Sequence, residues 1–297
     1  MIENKLNKGI RLTVAHLLLA AIAIICLLPF LIIISASLSS ESAITKYGYS
    51  IIPHGVTLEA YKTVIGGSTD LFHAYGVTIF TTVIGTALAL LLAILTAYPL
   101  SRKDYAWNGK ISFYFYFTML FSGGAVPSYI LISNYLHLKN TLAVLILPML
   151  INVWNVFLLR TYFSKIPSSV HEAAEIDGAN QFQILFRIIL PMSVTGVATI
   201  LMFTLLAFWN EWYLCLMYIT KDNMVTLQYY LSSIMSQIES IVKSQGSSLA
   251  MGENLSELPS ETARMAICVL AAGPMLFVFS FFQKYFAKGL NVGSVKG

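Results

Sequence analysis

The most chemically suggestive stretch of the sequence is HEAAEIDG, residues 171–178, a run of His and carboxylate side chains near the middle of the chain. His171, Glu172 and Glu175 differ by one residue from HExxH, in which two histidines a helical turn apart bind zinc. Glu175 stands where the second histidine would be, so that site cannot form. The sequence also has neither a GxSxG nucleophile elbow nor a GxxxxGK[ST] phosphate loop. We therefore expect no metal site, no catalysis and no ATP-binding loop in this chain.

The elements that carry this stretch must be membrane helices, because the chain is strongly apolar. Of its 297 residues, 57% are hydrophobic and 11% are charged, whereas soluble domains have roughly 25% charged residues. Apolar runs of about 20 residues are long enough to cross a roughly 30 Å hydrocarbon core as helices. The sequence predicts an all-α membrane protein with six transmembrane helices. They are expected at residues 12–34, 74–100, 111–135, 141–162, 192–219 and 265–286.

Basic residues predict the orientation of these spans, since Lys and Arg accumulate on the cytoplasmic side. With the N-terminus inside, twelve of the 18 Lys and Arg residues fall in inner segments. We therefore expect a cytoplasmic N-terminus at 1–11, a six-span membrane domain over 12–286 and a cytoplasmic tail at 287–297. The net charge of +4 then lies against the inner lipid surface and needs no nucleic acid to explain it.

The first span has a second interpretation. Three basic residues precede it and Ser35–Ser37 could serve as a cleavage site, as in a signal peptide, but its apolar run exceeds the usual 7 to 15 residues of a signal-peptide core. We expect an uncleaved anchor. The three cysteines all fall in spans and are expected to be small buried apolar groups rather than a disulfide framework. They are Cys26, Cys215 and Cys268.

Three loops are large: the outer segments 35–73 and 220–264, the second expected to be partly irregular, and the inner segment 164–191. The inner segment predicts a helix, a break and a second helix. Ser168 or Ser169 is expected to cap the first helix, and Gly178 to end it at positive φ. Asn180 and Gln183 form a predicted capping pair for the second helix. The first helix gathers small residues on one face, which suits docking but also an ordinary amphipathic surface helix. That face holds Val170, Ala173, Ala174 and Asp177.

The same segment resembles a known signature. Nine positions match the pattern EAA…DGA…F…LP of permease subunits of ATP-binding-cassette (ABC) importers. They are Glu172, Ala173, Ala174, Asp177, Gly178, Ala179, Phe186, Leu190 and Pro191. The resemblance implies a type I ABC importer permease fold in which this loop is the cytoplasmic coupling helix, held in a cleft of a separate ATPase. ATP and Mg²⁺ would then be bound by that partner, and no cofactor by this chain.

The resemblance covers nearly the whole chain and is closest to the carbohydrate-uptake class. The segments AYPLSRK (97–103) and AFWNEWY (207–213) are similar to that class, and FSGGAVPSYILI (121–132) is similar to polysaccharide-type permeases of Gram-positive bacteria. It implies import of a sugar or oligosaccharide across the bacterial cytoplasmic membrane, with a second homologous permease, two ATPase subunits and an extracellular solute-binding lipoprotein. A permease of the same family for a peptide, or an ion-coupled transporter, remains an alternative.

Polar and aromatic residues inside the spans are candidates for the substrate pathway. Unpaired polar groups are costly in a membrane and face the bundle interior or a wet cavity, and aromatic faces beside amides suit sugars. The alternative is that the aromatic residues form an interfacial belt and the Asn side chains join helices. A Gly-Gly and Pro interruption of the third span either lines the pathway or kinks the helix. The candidates are Asn152, Trp154, Asn155, Trp209, Asn210, Glu211, Trp212, Gly123, Gly124 and Pro127.

Overall fold

A computed structural model describes residues 2–66, 70–247 and 261–292, and the regular elements in this part of the chain are all helices. The α-helices, in chain order, are α1 (Ile2–Ser37), α2 (Glu41–Tyr47), α3 (Glu59–Ile65), α4 (Asp70–Ser101), α5 (Asn108–Leu120), α6 (Ala125–Ile130), α7 (Val153–Phe163), α8 (Ser168–Ile176), α9 (Gln181–Ile184), α10 (Leu190–Met192), α11 (Val194–Trp209), α12 (Tyr213–Tyr218), α13 (Leu227–Ser247) and α14 (Glu261–Val292). Single-turn π-helices span Leu131–Tyr135 and Leu185–Ile189, and 3₁₀ turns span Leu142–Leu145, Leu147–Met149 and Asp222–Met224.

Three predicted spans are confirmed as long apolar helices. The segments Arg11–Ser37, Asp70–Ser101 and Glu261–Gln283 are each long and apolar enough to cross a membrane. Three further candidates are helix pairs bent at a short break, so the count reaches six only if each pair is one span. The predicted inner and outer segments also contain helix: residues 2–11 form the start of α1, 35–73 holds α2 and α3, and 220–264 holds α13. Residues 248–260 and 293–297 lie outside the described part.

The other three predicted spans are not single straight helices, and the sequence predicted a break only in the third span. Segment 111–135 breaks between α5 and α6, which meet at 108°. Segment 141–162 begins as 3₁₀ turns and bends by 48° into α7. Segment 192–219 stops at Trp209 and resumes in α12. Apolar composition alone does not distinguish an unbroken helix from a broken one, because both satisfy the same hydropathy window.

The break in the third span lies where the sequence places its Gly-Gly and Pro. Helix α5 ends at Leu120, and Gly124 has φ +88°, a conformation that favours glycine. Pro127 lies in the first turn of α6. Backbone N–H groups in a first turn have no helical partner, so the N–H that proline lacks costs little there. This interruption is confirmed as a sharp turn between helices.

The chain divides into two compact units, one of Met1–Ser68 with Leu231–Gly273 and one of Thr69–Tyr230 with Pro274–Gly297. In the first unit, the Glu41 carboxylate at the start of α2 accepts hydrogen bonds from the first residues of α14. Its two oxygens lie 3.1 Å from the backbone nitrogens of Glu261 and Thr262, and 2.8 Å from Thr262 Oγ1. A carboxylate at a helix N-terminus satisfies free N–H groups and suits the positive end of the dipole. Glu41 therefore anchors the start of α14.

The second unit is built around α4, which packs against α7 and α11. The buried face of α4 consists largely of small side chains at helical spacing, including Thr78, Thr82, Ala89, Ala93 and Ala97. Small residues let helix backbones approach closely, which is how helices associate where lipid removes the hydrophobic driving force. The core between these helices continues into the inner segment 164–191. It includes Ile94, Val156, Leu159, Phe163, Ile184, Leu185, Ile189 and Ile200.

The three cysteines are free thiols, and only Cys215 is buried. Cys26 and Cys268 are exposed at the surface of the chain, so the prediction that they are buried apolar groups was wrong for these two. Membrane helices expose apolar side chains to lipid, so an apolar position in a span need not point into the protein.

Two glycines of the second unit mark close helix contacts. A Cβ at Gly85 on α4 would lie 2.5 Å from the ring of Phe208 on α11. A Cβ at Gly196 on α11 would lie 2.8 Å from the Cβ of Tyr162 on α7. These separations are shorter than van der Waals contact, so any side chain at either position must push the helices apart.

We expect Gly196→Ala to destabilise the protein by about 1–3 kcal/mol, the usual cost of overpacking. The matched control is Gly76→Ala on α4, where a Cβ meets nothing within 4 Å. The control should be neutral or slightly stabilising, because Ala favours helix over Gly. The measurement is the thermal midpoint of the purified protein in detergent. Equal midpoints for the two variants would contradict the close contact.

Candidate functional site

The inner segment 164–191 forms a two-helix elbow, which we define as α8, the turn at Asp177–Asn180, and α9. Gly178 has φ +81°. The Gly178 N–H donates to Glu175 O and the Ala179 N–H to Ala174 O, both at 3.0 Å, the two bonds of a Schellman motif. Gly178 therefore ends α8 at positive φ, as predicted.

The start of α9 also confirms its sequence prediction. The Gln183 backbone N–H donates to Asn180 Oδ1, and the Asn180 N–H donates to Gln183 Oε1, both at 2.9 Å. The two side chains thus form a complete capping box. With the Schellman motif only a few residues earlier, the chain has little freedom at the elbow, so the angle between α8 and α9 is locally encoded.

The start of α8 differs from the prediction. Pro167 holds the position before the helix, and neither Ser168 nor Ser169 makes a capping hydrogen bond. The cause is the backbone of Pro167, which is extended at φ −57° and ψ 141°, so helical geometry begins at Ser168. Both serines lie inside the first turn rather than in front of it. The predicted serine cap was wrong.

The small-residue face of α8 is split between two environments. Ala174 is 7% exposed and belongs to the hydrophobic core with Leu159 and Ile184, whereas Ala173 and Asp177 are exposed. The prediction that all of these residues share one docking face was therefore wrong. Residues 173 and 174 are adjacent on the helix, some 100° apart, and the core takes only one of them.

Sequence reasoning missed Ile176, which is 86% exposed at the end of α8. It lies one turn after Glu172 on the same side of the helix. Most of this large apolar side chain, which lies beside carboxylates and outside the predicted spans, is therefore left uncovered by the described part of the chain. Its signal was available in the sequence: an isoleucine directly before the Asp-Gly that ends the helix, where an amphipathic pattern would place a polar residue.

The elbow is fixed to the end of α4 by Arg102, a residue that was not among the predicted site residues. Its Nη1 donates to Glu175 Oε1 and Gln181 Oε1, each at 3.0 Å. Gln181 Nε2 donates to the same Glu175 oxygen at 2.9 Å. These hydrogen bonds, that of Gln181 first and that of Arg102 second, hold the pKa of the Glu175 carboxyl below its usual range. Glu175 is therefore ionised at neutral pH.

His171 lies on the side of the elbow that faces α4, with its ring stacked on Tyr98 at a centroid distance of 5.9 Å. Burial, and then the nearby Arg102 charge, lower its pKa below the ordinary histidine value. At neutral pH the ring is therefore neutral. Within the described residues no group of three or more His, Cys, Asp or Glu side chains could hold a metal ion.

The signature continues beyond the turn of the elbow, through α9 and the π-helical turn that follows it. Phe186 lies in the π-helical turn and is half-exposed, while Leu185 and Ile189 are buried in the core. Phe182 is 68% exposed and borders a cleft of about 680 Å³ together with Leu95 and Pro99 of α4. The elbow thus presents apolar side chains at both ends of an acidic surface.

The candidate residues at the start of α7 are satisfied locally. Asn152 Oδ1 accepts the backbone N–H of Asn155 at 3.1 Å and caps the helix. Asn155 is buried, and its Nδ2 donates to Thr204 Oγ1 of α11 at 3.2 Å, which is how a polar residue joins two membrane helices. Trp154, between them, is 60% exposed. Asn152 is exposed as well, and a substrate contact for these three residues stays a prediction.

The break after α11 separates the other candidates. Trp209 is buried, and Trp212 is half-exposed. The Asn210 Nδ2 donates to Leu206 O at 2.9 Å, closing the end of α11, and its Oδ1 accepts from Gln228 Nε2 at 3.4 Å. The Glu211 carboxylate accepts the backbone N–H of Leu214 in the first turn of α12. Glu211 therefore starts a helix, and Asn210 is the exposed amide. Gly123, Gly124 and Pro127 are also exposed, and their contact with a substrate stays a prediction.

We expect Glu211→Ala to lower the free energy of unfolding by about 1 kcal/mol, the usual worth of a side-chain cap. Glu211→Gln keeps an acceptor oxygen and should lose less. Glu211→Gln is therefore the matched control. The thermal midpoint in detergent measures each variant, and a midpoint for Glu211→Ala equal to that of Glu211→Gln would contradict the capping role.

Comparisons with known proteins agree on one family. The family model described as "binding-protein-dependent transport system inner membrane component" matches residues 89–292. The polygalacturonan/rhamnogalacturonan transport system permease protein YtcP of Bacillus subtilis (strain 168) is 39% identical over 278 residues, covering 93% of this chain and 94% of its own. Protein LplC of the same organism is 35% identical over 281 residues, covering 95% and 93%.

A solved structure has the same fold. It is a chain from a bacterial ABC transporter involved in the import of the acidic polysaccharide alginate. The two chains superimpose with a TM-score of 0.76 at 28% identity, over 92% of this chain and 95% of the other.

Proposed function

Because this chain belongs to the family of binding-protein-dependent transport system inner membrane components and has the fold of an ABC importer permease, we propose that it is the permease subunit of an oligosaccharide importer. In this proposal it forms the membrane path with a second, homologous permease. Two ATPase subunits bind and hydrolyse ATP with Mg²⁺, and an extracellular lipoprotein delivers the solute. This chain holds no nucleotide and catalyses no reaction itself.

The exposed surface of the elbow carries this proposal. Ile176 and the carboxylates of Glu172 and Asp177 face away from the core, while Ala174 on the other side is packed into it. An apolar anchor ringed by carboxylates suits a partner cleft with an apolar floor and basic rim. We assign that cleft to the ATPase, which places the elbow and both termini in the cytoplasm.

Coupling then follows from the rigidity of the elbow. Its turn is fixed by the Schellman motif and the capping box, and its inner side by the shared core with α4 and α7. When ATP closes the two ATPase subunits, a docked α8 moves as a body rather than unfolding, and the helices packed on it move too. The membrane path is then biased between inward- and outward-facing states by ATP bound to another chain.

The substrate path is proposed at the helix breaks. Trp154, Asn210 and Trp212 expose aromatic faces and an amide, groups that can contact the C–H faces and hydroxyls of a sugar. A relative named for polygalacturonan/rhamnogalacturonan transport, and a structural neighbour from a transporter involved in alginate import, support a complex oligosaccharide over a simple disaccharide. Oligogalacturonides are therefore the first substrates to test.

The test uses Gly178, because a Cβ there meets nothing within 4 Å and a substitution therefore acts through the backbone alone. Val is strained at φ +81° by about 1–3 kcal/mol, whereas Asn tolerates positive φ. We expect Gly178→Val to lower the stimulation of ATPase activity by loaded binding protein about tenfold in the reconstituted complex. Gly178→Asn should stay within about twofold of the unchanged protein.

Co-purification of the ATPase subunits controls for assembly in both variants. Full stimulation in an assembled Gly178→Val complex would contradict the coupling role. Uptake that survives ATP depletion but collapses with the ion gradient would favour an ion-coupled transporter instead. Uptake of peptides but not oligosaccharides would move the chain to another branch of the same family.

A further inference from the structure

A single guanidinium joins three separate parts of the second unit. Arg102 follows the last residue of α4, Glu175 lies in the last turn of α8, and Gln181 is the first residue of α9. Arg102 Nη1 lies 3.0 Å from an oxygen of each of the other two. One nitrogen therefore bridges both helices of the elbow to the end of the central span.

The guanidinium is itself held in one orientation. Asp104 accepts from Arg102 Nε at 2.9 Å and from Nη2 at 2.6 Å, a bidentate pairing that fixes the guanidinium plane. Tyr98, on α4, donates its hydroxyl to Gln181 Oε1 at 2.8 Å. The Arg102 side chain is only 16% exposed, so water competes for these bonds less than at an open surface. Lysine could not reproduce the arrangement, because its ammonium lacks the planar fork.

We infer that Arg102 is a positioning residue for energy coupling, which links the displacement of the elbow to α4. This inference rests on the proposed function and deepens it by naming the link. The apolar core between α8 and its neighbours sets how closely the helices approach, but apolar contacts have no fixed direction. The Arg102 hydrogen bonds are directional and add a fixed orientation of the elbow relative to the end of α4. Because α4 packs against α7 and α11, its displacement reaches the broken helices of the proposed substrate path.

A coupling role and a purely structural role differ in one measurable quantity. A structural defect lowers the amount of complex, and with it uptake and ATP hydrolysis in the same proportion. A coupling defect lowers the number of solute molecules moved per ATP hydrolysed. That ratio, measured in proteoliposomes with the ATPase subunits, the binding protein and an oligogalacturonide digest, is the readout.

We expect Arg102→Ala to lower the ratio at least fivefold and Arg102→Lys to recover less than half of the loss. The matched control is Lys103→Ala, which removes the same charge from the neighbouring residue. It should leave the ratio within about twofold, because Lys103 makes no hydrogen bond or ion pair within the described part of the chain.

Combined variants then identify the partners of Arg102. One protein carries Glu175→Ala with Gln181→Ala, and a second carries Arg102→Ala in addition. If Arg102 acts through the elbow, the transport ratio of the second protein should be no lower than that of the first. An additional loss of fivefold or more would overturn the inference, as would an Arg102→Ala ratio within twofold of the unchanged protein. If Arg102→Ala fails to assemble, Gln181→Ala is the deciding variant, because it keeps the charges of Arg102 and Glu175. An unchanged ratio in Gln181→Ala overturns the inference, and a lowered ratio supports it.

The unchanged complex separates this inference from the proposal beneath it. If it takes up no oligosaccharide in an ATP-dependent manner, the proposed function fails and the inference fails with it. If it couples normally and Arg102→Ala does too, the inference alone is wrong.

Discussion

Close packing of the small-residue face of α4 is the constraint on which the second unit depends. Gly85 lets Phe208 of α11 reach the α4 backbone, and the alanines below it admit α7. In a membrane such contacts replace the hydrophobic effect as the source of helix association. They also leave little slack, because interiors at this density transmit displacement rather than absorb it. A displacement of the end of α4 is therefore expected to move the whole helix.

The sequence predicted the parts of the elbow that depend on local chemistry. Positive φ at Gly178 and the capping pair of Asn180 and Gln183 are decided by residues within a few positions of one another. The three unbroken spans were predictable for a similar reason, since length and hydropathy are enough to mark them. The signature match gave the family, which the comparisons show, because its spacing is specific.

What the sequence could not give is the set of contacts between distant residues. The bond from Arg102 to Glu175 joins positions 73 residues apart, and no local pattern marks it. Which of Ala173 and Ala174 faces the core depends on how the elbow meets α4 and α7, and that rotation is not encoded within α8 itself. Glu211 was noted as polar in a span, but its use as a helix cap depends on the break at that position, which hydropathy does not reveal.

The central claim is that the elbow is a cytoplasmic handle held by an ATPase, and labelling at Ile176 tests it directly. The chain would carry Ile176→Cys with Cys26, Cys215 and Cys268 replaced by alanine, and the reagent would be a thiol probe that cannot cross membranes. The account predicts no reaction in intact cells, reaction in inverted vesicles stripped of ATPase subunits, and at least fivefold protection when those subunits are restored. Reaction from outside intact cells, or equal reaction with and without the ATPase, would contradict it.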